Sequence, residues 1–503
     1  ALGNHDRYST NFNVNRFRKD RHFSIMGGMN NVNKPGFSER GDGAMNFSTA
    51  AQPGHTAAKS VGISMAREKR DHYKVSGNVR YGYNGSEQMS SRQSETIYND
   101  SNYRFGNNDS HSLRRRNDLN ANFELEWKPD TLTTLHLRPN FSYGSTENWS
   151  SNQSKTDSWD GGLGSDTTAM NQQTSHNNSS SHNVNSSASF NFFRRLSAKG
   201  RHLNLSASYN YSDGKSESFS VSKATYFQNM SRNRDHNRYQ DGDNHRLNYG
   251  FGMSYNEPLI KNVFFQANYN YNFSHSRGNR YGREVNYEGK DSLRDRDAEI
   301  LWGEIPVDTS LSSCTENTYI THTINGNFRY VTPKANLNFG ARFSPRHNEV
   351  NYVFGPKMDK GLVTQNLMNW SPNLQFKYRF AKRTTFNLNY RGNSTEPNID
   401  DLQEVIDKTN PQHVRYGNPN LKPSYVHDMS MNFNYYSEKT HRSLVTNWSY
   451  SKEDQSTSNM RISESATGVS VSKLMNVDGR WSMGGNINFN SPLDTLEHFN
   501  ISL

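Results

Sequence analysis

The sequence predicts an all-β protein, a large antiparallel β-barrel spanning a membrane, and three observations predict it. Large apolar residues recur at every second position in segment after segment. The connections between those segments alternate strictly between short and long. The residues interleaved with the apolar ones are mainly Asn, Ser, Gly, Gln and Arg, not the Lys, Glu and Thr of a sheet facing bulk water. This reading resolves an oddity of composition. Leu, Ile, Val and Phe number 89 of 503 residues, about 18%, which lies under the roughly 20% at which disorder is suspected. Mean hydropathy is −1.01. Disorder of that kind also needs a high net charge, and here it is only +10. The chain carries 27 Tyr, 27 Phe and 7 Trp beside 66 Asn and 62 Ser, an aromatic load that a disordered chain normally lacks.

Taken in order, the clearest strands run from Leu119 to Trp127, Leu135 to Tyr143, Leu203 to Tyr211, Leu247 to Tyr255, and Val263 to Phe273. They continue from Ala335 to Phe343, Met368 to Phe380, Phe386 to Tyr390, Met429 to Tyr435, and Trp481 to Phe489. The segment at Met368 is typical: Met368, Trp370, Leu374, Phe376, Tyr378 and Phe380 alternate with Asn369, Ser371, Asn373, Gln375, Lys377 and Arg379. Period two places each set on its own face of a strand. A turn at Lys382 and Arg383 then leads into Phe386, Leu388 and Tyr390, which makes an antiparallel hairpin. Roughly seventeen such strands are expected, with little helix.

Short connections are expected around Lys19, Lys69, Asp130, Lys199, Pro258, Pro333, Lys382, Glu438 and Leu493. Long polar loops are expected over roughly 32–56, 84–109, 148–183, 212–242, 274–315, 347–365, 393–424 and 459–473. A soluble sandwich has no reason to sort its loops by end, whereas an outer-membrane barrel has short periplasmic turns and long external loops. Aromatics near strand ends (Phe141 and Tyr143, Tyr209 and Tyr211, Tyr435 and Tyr436, Trp448 and Tyr450) suit interfacial girdles.

Other classes lose ground quickly. No stretch approaches the roughly 18 consecutive apolar residues of a membrane-spanning helix. One cysteine, Cys314, supports neither a disulfide framework nor a multi-cysteine zinc site. The basic balance, with a pI near 9.3, is spread along the chain among acidic residues, which argues against a nucleic-acid partner. There is no HExxH, GxSxG or Walker loop. The pattern SxxK starts at Ser212, Ser220, Ser449 and Ser470, close to what chance supplies in a chain with 62 Ser, so no catalytic residues are assigned and no enzyme is expected. His176 and His182, and His236 and His245, invite a metal reading, but no two histidines lie two to four residues apart. Asp241 with Asp243 and the pair Asp400 and Asp401 offer oxygen ligands for calcium; solvated loop carboxylates are the simpler reading, so no metal and no cofactor are assigned. The runs Arg114–Arg116 and Arg232–Arg238 fall at predicted external loops, where they either pair with phosphates of lipopolysaccharide or are simply solvated.

Two segments, MNNVNKPGFS (Met29 to Ser38) and YGNPNLKPSY (Tyr416 to Tyr425), resemble the start of the barrel and the GNPxLKP loop of TonB-dependent receptors, in particular the outer-membrane β-barrel family of Bacteroidetes. The second follows the hairpin FKYRFAKRTTFNLNYRG and precedes the strand MSMNFNYY, as in that family. The motif loop comprises Gly417, Asn418, Pro419, Asn420, Leu421, Lys422 and Pro423. The resemblance implies a 22-stranded barrel in the outer membrane of a Gram-negative cell, closed by an N-terminal plug and driven by TonB. In that frame ALGNHDRYST is the tip of strand one running into strand two, GRWSMGGNINF is strand eighteen, and FNISL opens strand nineteen. Residues 1–503 are therefore expected to be one barrel domain, incomplete at both ends, with an 18-stranded closed barrel as the alternative.

The expected function is the barrel part of a receptor that takes up a scarce solute across the outer membrane. Its partners would be membrane lipid, lipopolysaccharide, the plug and TonB. The alternative is a non-transporting barrel that serves as an envelope scaffold, with a surface lipoprotein as partner. A secreted cross-β fibre fits less well because the strand spacing varies too widely. The substrate-binding residues are not legible.

Overall fold

A computed structural model describes residues 6–33, 37–39, 45–47, 54–99, 102–159, 167–285, 305–356, 358–397, 401, 406–410, 413–418, 420–463, 470–493 and 499–502. Eighteen strands form one antiparallel sheet. We number them β1 (Ser9–Arg18), β2 (Arg21–Asn30), β3 (His55–Lys69), β4 (Tyr73–Asn99), β5 (Asn102–Asp130), β6 (Thr133–Trp159), β7 (Thr168–Arg195), β8 (His202–Tyr226) and β9 (Arg234–Ile260). The rest are β10 (Val263–Val285), β11 (Asp308–Val331), β12 (Ala335–Phe354), β13 (Leu362–Ala381), β14 (Thr384–Thr395), β15 (Ser424–Tyr436), β16 (Ser443–Asp454), β17 (Arg480–Pro492) and β18 (Asn500–Ser502). Each strand pairs with its neighbours in sequence, so the sheet is a plain meander. The segment GRWSMGGNINF lies in the seventeenth strand of this sheet; of the expected tip ALGNHDRYST, residues 1–5 lie outside the described residues and Ser9 and Thr10 open β1.

The register shows why so few apolar residues suffice. One continuous rung crosses ten strands: Tyr73, Trp127, Leu135, Phe192, Leu205, Met253, Tyr269, Ile324, Phe343 and Trp370. These residues cover the outside of a sheet and fill no interior; Ile324 is 54% exposed, Trp127 51% and Trp370 43%. An apolar surface of this extent is suited to hydrocarbon. The opposite face carries amides. Asn387, Asn432, Asn447 and Asn486 stand side by side on β14 to β17, each Nδ2 donating to the next Oδ1 at 3.0, 2.6 and 3.2 Å. A slip of one residue would exchange the two faces, so this pattern fixes the register.

The short turns share one end of the sheet. At Asp130 the carboxylate accepts from the Leu132 backbone N–H at 2.7 Å and from Thr133 Oγ1 at 3.1 Å. The Leu132 N–H is the main cause that holds the Asp130 carboxyl below its ordinary pKa. The turn expected at Pro258 lies instead at Lys261 and Asn262, where Asn262 adopts φ 68°. Pro258 stays within β9, beside a register irregularity that runs to Ile260. Proline is tolerated at such a break because no ladder N–H is needed there.

The larger correction concerns the long loops. Most of 84–109, 148–183, 212–242 and 347–365 is paired strand: β4 and β5 stay in register from Tyr73↔Trp127 up to Ile97↔Tyr103. Strand β5 has 29 residues, about 95 Å of strand at about 3.3 Å per residue. An apolar band is only about 25 Å tall, so more than half of each of the longest hairpins stands above it. Both faces of that half are polar, which removes the contrast that marks a strand in sequence. The pairing instead rests on backbone bonds that period two permits for any side chain.

Candidate functional site

The candidate site lies at the end of the sheet with the long connections. There a second sheet of four strands stacks Ile406–Asn410, His413–Tyr416, Ser470–Val477 and Ser456–Ser463 in that order. The motif loop leaves this sheet at Tyr416 and enters β15 at Ser424. Its asparagines hold it in place. Asn418 Nδ2 donates to the Leu474 carbonyl at 2.9 Å, and the Asn420 N–H donates to Asn418 Oδ1 at 3.1 Å. From the other side, Asn476 Oδ1 accepts from the Lys422 N–H at 2.7 Å while Asn476 Nδ2 donates to the carbonyls of Lys422 and Gln455 at 3.0 and 2.8 Å. Leu421 is buried at 7% exposure and Lys422 is exposed. Gly417 and Pro423 complete the described loop, and Pro419 lies outside the described residues. The loop is thus bound to the external hairpin Ser456–Val477 by two reciprocal amides. Asn476 escaped the sequence reading because nothing local marks a partner 54 residues from Lys422.

The amide face of the sheet holds a recess of about 290 Å³ lined by Asn204, Ser206, Asn268, Asn270, Asn325 and Arg342, among others. Gly252 forms part of its floor, and a Cβ there would press to within 2.6 Å of Asn270 Oδ1. Arg342 Nη2 donates to Ser371 Oγ and Asn393 Oδ1 at 3.3 and 3.2 Å. The buried amide oxygens of Asn204, Asn325, Asn327 and Asn369 accept no hydrogen bond from the described protein atoms. Unpaired acceptors are costly without water or solute, so this face is built to be wet.

The other sequence candidates disperse. Ser212 and Lys215, Ser220 and Lys223, and Ser449 and Lys452 lie in strands, where positions three apart occupy opposite faces, so no Ser–Lys dyad forms. His236 and His245 likewise point to opposite faces of β9. His245 lies 2.9 Å from Asp213 and 3.1 Å from Asp243, while His236 bonds to Glu284. His176 and His182 stand six residues apart on β7, and His176 packs near the Trp149 ring. Asp241 pairs with Arg283 at 2.8 Å, Asp400 lies outside the described residues, and no group of described residues is arranged to hold a metal. Burial works to raise the Glu284 carboxyl, but hydrogen bonds from Arg238 and His236 outweigh it and keep the pKa below its ordinary value. Within Arg114–Arg116, alternation sends only Arg115 to the apolar side of the sheet, and Arg116 bonds Asp118 on the other.

The sequence profile of a family described as "Outer membrane protein beta-barrel family" matches residues 194–503. No curated protein matches the chain. Among solved structures it is similar to the copper transporter OprC, with 12% identity, 93% of this chain and 64% of that chain covered, and a TM-score of 0.44. It is also similar to the siderophore receptor PirA from Acinetobacter baumannii, with 12% identity, 93% and 65% covered, and a TM-score of 0.38. The ferric yersiniabactin uptake receptor FyuA from Yersinia pestis shows 11% identity, 100% and 72% covered, and a TM-score of 0.32. The chain spans 64% and 65% of the OprC and PirA chains, just under two thirds.

Proposed function

Because the chain belongs to the outer membrane protein beta-barrel family and resides in the outer membrane, we propose that it is the wall of a TonB-dependent receptor that takes up a scarce solute. The observation that carries this reading is the two-faced wall: an unbroken apolar rung on one side, and on the other an amide surface with buried, unpartnered acceptors. Such a lumen offers a solute replacement hydrogen bonds along its path. In this mechanism the external hairpins capture the solute, and a plug pulled by TonB opens the lumen. The first and last wall strands each carry one ladder among the described residues. Backbone edges in hydrocarbon need partners, so in the membrane the outer sides of these two strands are paired as well. The direct test is uptake of a panel of labelled metal chelates, haem, glycans and peptides by cells with and without the gene, each with and without a proton uncoupler. Energy-dependent uptake lost on deletion supports the proposal; unchanged uptake of every solute would defeat it.

The length of the paired external hairpins favours one second reading. A rigid hairpin that rises well above the membrane suits a scaffold that docks a surface lipoprotein, and unchanged uptake with loss of a co-purifying lipoprotein would select it.

A further inference from the structure

A recess of about 710 Å³ opens on the apolar side of the wall, outside the lumen. On β4 the outward residues run from Tyr73 at the short turn to Tyr83. Ten residues at about 3.3 Å and a strand tilt of about 40° climb about 25 Å, the height of an apolar band. Tyr83 therefore stands at the outer edge of the hydrocarbon. The Lys59 ammonium lies 5.8 Å from its ring centroid, an arrangement suited to a long cationic chain reaching from apolar surface towards water. The floor of the recess is the next outward rung, the directly paired Ala57 and Gly85. It sits about 5 Å higher, inside the headgroup layer, which adds about 5–8 Å to each leaflet.

The floor is low because its residues are small, and the walls are large. Trp149 stands on one flank, while Arg7 and Arg115 supply guanidinium groups. Arg7 is held in place: Nη1 donates to the Asn31 carbonyl and Nη2 lies 3.1 Å from His55 Nδ1. On this side of the wall two arginines, Arg7 and Arg115, stand with two glutamates, Glu87 and Glu147, and Glu87 is engaged by His111 Nε2 at 2.8 Å. We propose that this recess binds the phosphorylated headgroup of an outer-leaflet lipid, with its phosphate on Arg7 and Arg115 and its sugar or upper acyl carbons against Trp149. Guanidinium matches phosphate in a bidentate geometry, and the aromatic ring suits a surface that is apolar at one end and wet at the other. The site rests on the outer-membrane placement of the chain and requires neither transport nor a plug, so its failure and that of the uptake reading are separable.

The test is native mass spectrometry of the full-length protein released from nanodiscs, with diphosphorylated lipid A, dephosphorylated lipid A and inorganic phosphate as probes. Heat-modifiable migration on gels confirms that each variant is folded. The expected result is retention of the phosphorylated lipid, a loss of about fivefold or more in R7Q/R115Q, and a similar loss in Gly85→Leu, which fills the floor without touching charge. Arg277→Gln, on the same face but outside the recess, should retain the lipid. Equal retention of dephosphorylated lipid A, equal binding of inorganic phosphate, or unchanged occupancy in both R7Q/R115Q and Gly85→Leu would overturn the proposal.

Discussion

The lower and upper halves of the long strands are built from the same ladder but obey different chemistry. In β5, Leu119 to Trp127 sets Phe123, Leu125 and Trp127 on one face against Asn120, Asn122 and Glu124 on the other. Above it, Tyr103 to Arg116 remains paired on both sides, yet both its faces are mainly polar. The lower half is held in register by the contrast between its faces, the upper half by backbone bonds and local amide and ion pairs. A substitution should therefore be read by face in the lower half and should be nearly face-blind in the upper half.

The largest effect is expected from a charge on the apolar face. Phe339→Arg places a guanidinium in hydrocarbon beside Phe328, whose ring lies 5.6 Å away, and should cost about 2–4 kcal/mol. Asn338→Arg, one residue away on the amide face, and Ser91→Arg, high on β4, should each cost about 0.5 kcal/mol or less. Urea titration of the folded barrel in lipid checks all three, and equal costs would remove the distinction. Next comes the clamp on the motif loop. Asn476→Ala removes three hydrogen bonds and should destabilise the hairpin Ser456–Val477 by about 1–3 kcal/mol. Faster hydrogen exchange there with an unchanged wall is the expected signature. Breaking the amide row with Asn432→Ala should cost about 1 kcal/mol, seen as a small shift in the urea midpoint.

The smallest effect is confined to acid. The folded-state pKa of Glu284 is depressed, so the unfolded hairpin binds its proton more tightly than the folded one. Its contribution is present above the ordinary carboxylate pKa and is lost as pH falls through the folded value. Exchange at the tip of β9 and β10 should rise only in that acid window, and Glu284→Gln should flatten the response.

The same contrast decides what was legible in the sequence. Met368 to Phe380 announces itself because each lipid-facing residue differs from its neighbour; Gln88 to Ile97 does not, because Ser, Arg and Glu serve equally well on either face of a wetted strand. That stretch therefore read as a loop although it is paired throughout with Tyr103 to Ser112. Pro258 drew the turn to itself as a breaker, while the actual reversal uses Asn262, one of the few side chains that tolerates positive φ. At the motif loop, Asn418 was visible as part of GNPNLKP, but its role came from a hairpin whose contribution, Asn476, has no local signature. The recess on the apolar side was out of reach for a similar reason: Arg7, Ala57, Gly85 and Arg115 come from four separate segments and meet only through the register.

The two-faced wall itself is tested most directly by a cysteine scan through β12, since Cys314 is the sole native cysteine and is 3% exposed. Single cysteines from Asn336 to Glu349 would be reacted in intact membranes with a charged, membrane-impermeant maleimide. Labelling should alternate from Asn336 to Phe343, strong at Asn336, Asn338 and Arg342 and weak at Leu337, Phe339, Ala341 and Phe343, leaving out Gly340, where a Cβ would press on the Gly326 carbonyl, and the alternation should fade from His347 onward. Uniform labelling along the lower half, or alternation that continues unchanged through the upper half, would contradict the account.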